Sequence, residues 1–363
     1  MNLIESVKAF SRLGLFLNQF SEEGMTEEGN PELEHLNNLF MERMEIAIKE
    51  SFNYNGWFTE MNVRYAIASL VTNLREDKLV KWLEPYKNVL SINKIPVKTG
   101  VIVAGNIPLA GFHDFLCVLI SGNTFIGKLS SQDKLLLPLI ADVLIEIEPH
   151  FKNRIVFTEG RIGSIDAVIA TGSNNTSRYF DYYFGKYPNI IRKNRNSVAI
   201  LTGEEPELDI FNLGYDIFRY YGLGCRNVTK IYVPRSYNFD ILFRGILDFN
   251  WVDNNKKWAN NYHYNKTLYL MGNEKLLDNG FLILKEDKAL SSPVGVLFYE
   301  YYDPIEELEN SIKSSLLSEI QCIVSNKVIS LPTVKFGEAQ SPELIDWADG
   351  VDVLNFLISC NKQ

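Results

Sequence analysis

The sequence predicts an α/β protein: two doubly wound units, each a mostly parallel sheet covered by helices, behind a helical N-terminal segment. Three observations predict it. Apolar residues recur at helical steps through the first ~80 residues. From Val97 onward, short β-branched runs alternate with helix-length segments, and after residue 210 the alternation begins again. The length agrees, because 363 residues exceed the ~250–300 at which a single core stops growing.

Taken in order, Leu3, Val7, Phe10, Leu13, Leu17 and Phe20 make one helical stripe, and a break follows at 22–31. Two amphipathic segments, 36–48 and 63–74, flank the aromatic, glycine-containing stretch 52–57. Residues 101–104, 124–129, 155–157, 167–170 and 198–201 read as buried strands. A second set comprises a helix over 210–221, a strand at 228–233, a helix after Tyr237, and strands near Leu268, Leu282 and Val296.

Composition narrows the function. With 45 acidic against 36 basic residues, a net charge of -9 and no basic block, nucleic acid is not an expected partner. No apolar run approaches the ~18 residues of a membrane span, and the first 20 residues lack a signal-peptide layout, so a cytoplasmic protein is expected. Cys117, Cys225, Cys322 and Cys360 lie far apart without a Cys-x-x-Cys pair, and His35, His113, His150 and His263 form no ligand spacing. Free thiols and no metal follow.

The run GLGCRNVTK places Cys225 among Gly222, Gly224 and Arg226, just before a β-rich stretch. Glycines let a substrate approach the sulfur, and a guanidinium stabilises thiolate, so this cysteine reads as reactive. Cys117 and Cys322 sit in apolar runs and read as core thiols. Asn106, in AGNIPLAG, falls at the carboxyl end of a predicted strand, where its amide either donates to an oxyanion or caps a turn. In NTFIGKLSSQD, Lys128, Ser130 and Ser131 end a strand before a helix beginning near Asp133; they either hold ribose or phosphate, or are solvated. In TGSNNTSRYF, Gly172 and Ser173 open a helix, as an anion site or as a plain N-cap. His113 beside Asp114 suggests an acid/base pair or a structural histidine. The aromatic runs 179–184 and 299–302 either line an acyl tunnel or pack a helix and a strand.

The order Asn-x-Pro-Leu, Gly-Asn-Thr with a following lysine, Thr-Gly-Ser and Gly-x-Gly-Cys is similar to the aldehyde dehydrogenase superfamily from about Val97 onward. GFHDFLCVL, GLGCRNV and FGEAQSPELIDWADGVD resemble, more closely, the fatty acyl-CoA reductases of the bioluminescence type. The resemblance implies two Rossmann-type domains: 1–208 with the helices and the dinucleotide, 209–326 with the nucleophile, and 327–363 returning to the first. It also implies a small β arm from 89–98 and 328–335, and a homodimer or higher homo-oligomer.

By the same resemblance, Cys225 is the nucleophile, Asn106 the oxyanion donor, Lys128 with Ser130 and Ser131 the ribose site, and Gly172 and Ser173 the pyrophosphate turn. His113 and Arg226 are substrate candidates. Two departures set the chemistry. Residues 190–197 hold no carboxylate where dehydrogenases carry a water-activating glutamate, which favours reduction of an acyl group over hydrolysis. Leu129, Ser130 and Ser131 replace an acidic ribose contact, which favours NADPH while leaving NADH open. The expected donor is an acyl-CoA, probed against an acyl phosphate, an acyl carrier protein or an acyl-enzyme; a non-catalytic assembly subunit is the reading from another class.

Overall fold

The structure, a computed structural model, describes residues 2–21, 31–91, 95–327 and 329–360. Its contacts divide the chain into two compact units, Met1–Lys193 with Glu343–Gln363, and Asn194–Pro342.

In the first unit, α1 (Leu3–Asn18) begins on a capping box. Asn2 Oδ1 accepts the Glu5 N–H at 2.9 Å, and Glu5 accepts the Asn2 N–H at 2.7 Å. The predicted stripe is buried from Val7 to Phe20, with Phe10, Leu13 and Leu17 wholly enclosed and Leu3 partly buried. Four helices follow: α2 (Pro31–Tyr54), α3 (Glu60–Asn73), α4 (Glu76–Leu83) and the short α5 (Lys87–Leu90). Strands β1 (Lys98–Ile102), β2 (Thr124–Lys128), β3 (Ile155–Phe157), β4 (Ala167–Thr171) and β5 (Asn189–Arg192) form a parallel sheet ordered β3-β2-β1-β4-β5. Three helices connect them: α6 (Phe112–Ile120), α7 (Leu136–Ile147) and α8 (Asn174–Phe184). β4 is buried from Ala167 to Ala170, the continuous apolar run of a parallel strand covered on both faces. One apolar core joins the N-terminal helices to α6 and α7. At its centre Phe115 meets Phe125 edge-on at 5.0 Å.

The second unit runs through β6 (Asn196–Ile200), α9 (Glu207–Phe218), β7 (Val228–Pro234), α10 (Phe239–Gly245) and α11 (Lys256–Met271). It continues with β8 (Leu276–Asp278), β9 (Ile283–Glu286), β10 (Val296–Tyr302), α12 (Ile305–Ser311) and β11 (Ile320–Val324). Its sheet is ordered β11-β6-β7-β10-β9-β8, parallel except where β8 meets β9. Residues 198–201 therefore sit in the second sheet. The C-terminal α13 (Val353–Cys360) returns to the first unit and packs on α6.

Several expectations are corrected. Leu268 is half-exposed on α11, in no strand. Its run of Leu, Tyr and Met mimics a strand, but Trp258, Tyr262 and Asn265 bury one face at helical spacing. The helix expected near Asp133 begins at Leu136, because Asp133 is turned inward. Of the β-arm segments, 92–94 and Val328 lie outside the described residues. Among the described ones, Lys87–Leu90 is helical and Val334 makes a single parallel bridge to Val324. Among the described residues no helix is long and apolar enough to cross a membrane.

Candidate active site

Strand register places the first group of predicted residues at one edge. Ile102, the last residue of β1, stands opposite Lys128 on β2 and Ala170 on β4, and the Val103 N–H donates to the Lys128 carbonyl at 3.0 Å. The carboxyl ends of β1, β2 and β4 are thus level. This is where the strand order of the sheet reverses, and loops from the three ends carry Asn106, Ser130 and Ser131, and Gly172 and Ser173.

The β1 loop is braced from two sides. The wholly buried Asn55, at the end of α2, donates from Nδ2 to the Gly105 carbonyl at 3.0 Å. Asp133 Oδ2 accepts the N–H of Leu109, a residue held at φ +58°. Burial pushes the Asp133 carboxyl up to about 6, against this hydrogen bond. A β-carbon at Gly105 would overlap Ser130, so the loops after β1 and β2 touch only because that residue is glycine. Asn106 itself is exposed at the tip. After β4, Ser173 caps α8 and accepts the Thr176 N–H at 3.2 Å, while a β-carbon at Gly172 would press on Thr176 and Phe180.

His113 and Asp114 have different contacts, though the Asp114 charge still acts on the imidazole. Asp114 is buried and pairs both carboxylate oxygens with Arg192, at 2.7 and 2.8 Å. Burial holds the His113 imidazole below its ordinary pKa, and the ring lies 6.2 Å from that of Trp82 and 3.8 Å from Cys117 Sγ. In the aromatic run on α8, Tyr179, Tyr182 and Tyr183 face outward; on β10, Tyr299 packs against Phe239 at 4.7 Å.

Cys225 stands in the second unit, in the loop between α9 and β7, and its side chain is exposed. Cys117 and Cys322 are buried, and burial lifts the Cys322 thiol to about 11. The loop is built for position. Tyr220, Tyr221 and Gly222 are consecutively left-handed, at φ 53°, 55° and 72°. The two tyrosines bury their rings while each costs roughly 1–2 kcal/mol of backbone strain. Asn227, wholly buried, offsets that cost. Its Oδ1 accepts the Gly224 N–H at 2.8 Å, and its Nδ2 donates to the carbonyls of Asp216 at 3.0 Å and Arg219 at 2.8 Å. The Ser197 hydroxyl donates to the Cys225 carbonyl at 3.0 Å, and Arg226 Nε donates to the Ala339 carbonyl at 2.8 Å.

No protein-family model matches the sequence, and no curated protein matches it. Solved structures do. Aldehyde dehydrogenase 21 from Physcomitrella patens, in complex with the reaction product succinate, is 13% identical with a TM-score of 0.66, over 99% of this chain and 84% of that one. This chain has the aldehyde dehydrogenase fold. An NAD+ complex of aldehyde dehydrogenase from Bacillus cereus is 15% identical, TM-score 0.60, over 90% and 73% of the two chains. An indole-3-acetaldehyde dehydrogenase from P. syringae with NAD+ is 13% identical, TM-score 0.61, over 89% and 72%. Within the aldehyde dehydrogenase fold seen here, the residues at the first sheet's edge belong to one unit and Cys225 and Arg226 to the other. Sequence reasoning missed the braces Asn55, Asp133, Ser197, Asp216 and Asn227. An amide close to a glycine was the available signal for Asn55 and Asn227, whereas Asp133, Ser197 and Asp216 carry no local one. Among the described residues no cluster of His, Cys, Asp or Glu is placed to hold a metal.

Proposed function

We propose that the protein reduces an acyl-CoA to the aldehyde with NADPH, by way of an acyl thioester on Cys225. The observation that carries this reading is what fills the stretch 190–197. It holds no carboxylate to activate water, and its Arg192 is spent on a buried ion pair with Asp114. An acyl group on an exposed, braced thiol then waits for a nucleophile other than water.

The donor set at the first sheet's edge suits a dinucleotide. Lys128, Ser130 and Ser131 would hold a ribose or its phosphate, and Gly172 and Ser173, which open α8, would hold a pyrophosphate. The one carboxylate between residues 128 and 133 is Asp133, which is turned inward and so does not repel a ribose phosphate. That is the ground for NADPH ahead of NADH. When bound, NADPH supplies the hydride that reduces the acyl carbon.

The chain's own residues do the rest. Cys225 thiolate attacks the thioester carbonyl, a C–S bond forms, and the tetrahedral oxyanion collapses to expel CoA as a thiolate. Asn106 is the proposed side-chain donor to the oxyanion. After reduction, the bond to Cys225 Sγ breaks, the thiolate is regenerated and the aldehyde leaves.

The test is direct. Incubation with acyl-CoAs of graded chain length gives an intact-mass adduct on Cys225, absent from a C225S variant, and NADPH is consumed in step with aldehyde formed. No adduct and no NADPH oxidation with any chain length would sink the acyl-CoA reading.

A further inference from the structure

Asp216 lies in α9, nine residues before Cys225, and is wholly enclosed. Its carboxylate reaches across the unit: Oδ2 accepts the Gly337 N–H at 2.7 Å and Oδ1 accepts the Ala339 N–H at 3.0 Å. Gly337 is left-handed at φ +86°, and a β-carbon there would come within 3.1 Å of Asn212 on α9, so the segment 337–339 lies tight against the helix. The carbonyl of Ala339 then accepts from Arg226 Nε, the residue after the cysteine. The other flank is tied to the same place, because the Asp216 carbonyl accepts from Asn227, which holds Gly224. Both neighbours of Cys225 therefore lead back to Asp216, one through its backbone and one through its side chain.

A buried carboxylate is a costly way to fasten a loop, since a neutral amide or hydroxyl would bind backbone without desolvating a charge. Its advantage is the strength of charge-assisted bonds to two N–H groups at once. The charged groups around it, Glu338 on the clipped segment and Arg226 beside the cysteine, belong to that arrangement.

We infer that Asp216 is a positioning residue for Cys225, acting through the segment 337–339 on Arg226. It does not meet substrate. It fixes where the guanidinium stands, and through that guanidinium the readiness of the thiol to ionise. The inference rests on Cys225 as the reactive thiol, and is independent of which acyl donor the protein takes.

Alkylation of Cys225 by iodoacetamide, read residue by residue by mass on the full chain between about pH 6 and 9, tests it. Asp216→Asn and Arg226→Gln should each raise the midpoint of the rate by about one pH unit, roughly a tenfold loss of thiolate at neutral pH. Because the two act in series, the double variant should shift no further than the larger single shift. An unchanged midpoint in Asp216→Asn, or additive shifts in the double variant, would overturn the inference. Should Asp216→Asn not fold, hydrogen exchange in Arg226→Gln decides it. Coupling is reciprocal, so the Gly337 and Ala339 amides should lose protection there, and unchanged protection would count against the relay. A protein that alkylates as expected but turns over no acyl-CoA leaves this inference standing while the acyl-CoA reading fails.

Discussion

Asn227 shows how much one side chain does for the candidate nucleophile. It satisfies a donor at Gly224 and carbonyls at Asp216, Ile217 and Arg219, at a turn of two left-handed tyrosines. Replacing it with alanine removes the acceptor of the buried Gly224 N–H and the side-chain donor to three carbonyls, and a buried polar group that loses its partner costs about 1–3 kcal/mol if no water enters. Asn227→Ala should therefore lower the unfolding free energy by roughly 2–4 kcal/mol, as measured by urea denaturation. An Asn227→Ala protein as stable as the parent would mean that the amide does not hold the turn. Cys225 stands out as a candidate in the sequence because its glycine and arginine neighbours are local. Asp216 does not, because its partners arise only on folding: its carboxylate bonds to residues 121 and 123 positions away.

At the scale of elements, α9 sets the loop that carries the cysteine, and it does so by close packing. Gly214 sits in its middle, where helix propensity alone favours alanine by about 1 kcal/mol. The structure opposes that gain. A β-carbon at Gly214 would overlap the ring of Phe249, which stacks on Phe218 at 5.3 Å and meets Tyr215 edge-on at 5.0 Å. Overpacking of this kind costs about 1–3 kcal/mol, so it outweighs the propensity term. Gly214→Ala should lower the melting temperature, and an increase would show that the ring cluster yields freely. The same contrast explains which elements the sequence disclosed. α1 and β4 were plain because their pattern is their burial. Leu268 was misread because its local texture is that of a strand, while the buried face of α11 is set by Trp258 and Tyr262 further back.

For the whole molecule, pH is where the buried groups add up. Burial lifts Asp133 to about 6 and Asp216 to about 7, whereas an unfolded aspartate titrates near 3.9. Between about pH 4 and 7 the folded chain thus holds protons that the unfolded chain has released, and stability falls as pH rises through that window. His113 works in the opposite sense. Burial lowers its pKa, so the unfolded chain binds the extra proton below about 6.5 and stability rises toward that pH. Asp287, held below the ordinary range by Lys285 at 2.7 Å, acts only at more acidic pH. These opposed terms make the net curve a poor test, and a difference between proteins a good one. Asparagine at 216 carries no proton to lose, so between about pH 5 and 8 the parent should lose more stability than Asp216→Asn, by roughly 2 kcal/mol or more. The measurement is urea unfolding of both proteins across that range. Parallel curves would show that Asp216 ionises in the folded state as easily as in the unfolded chain, and that its enclosure does not penalise the charge.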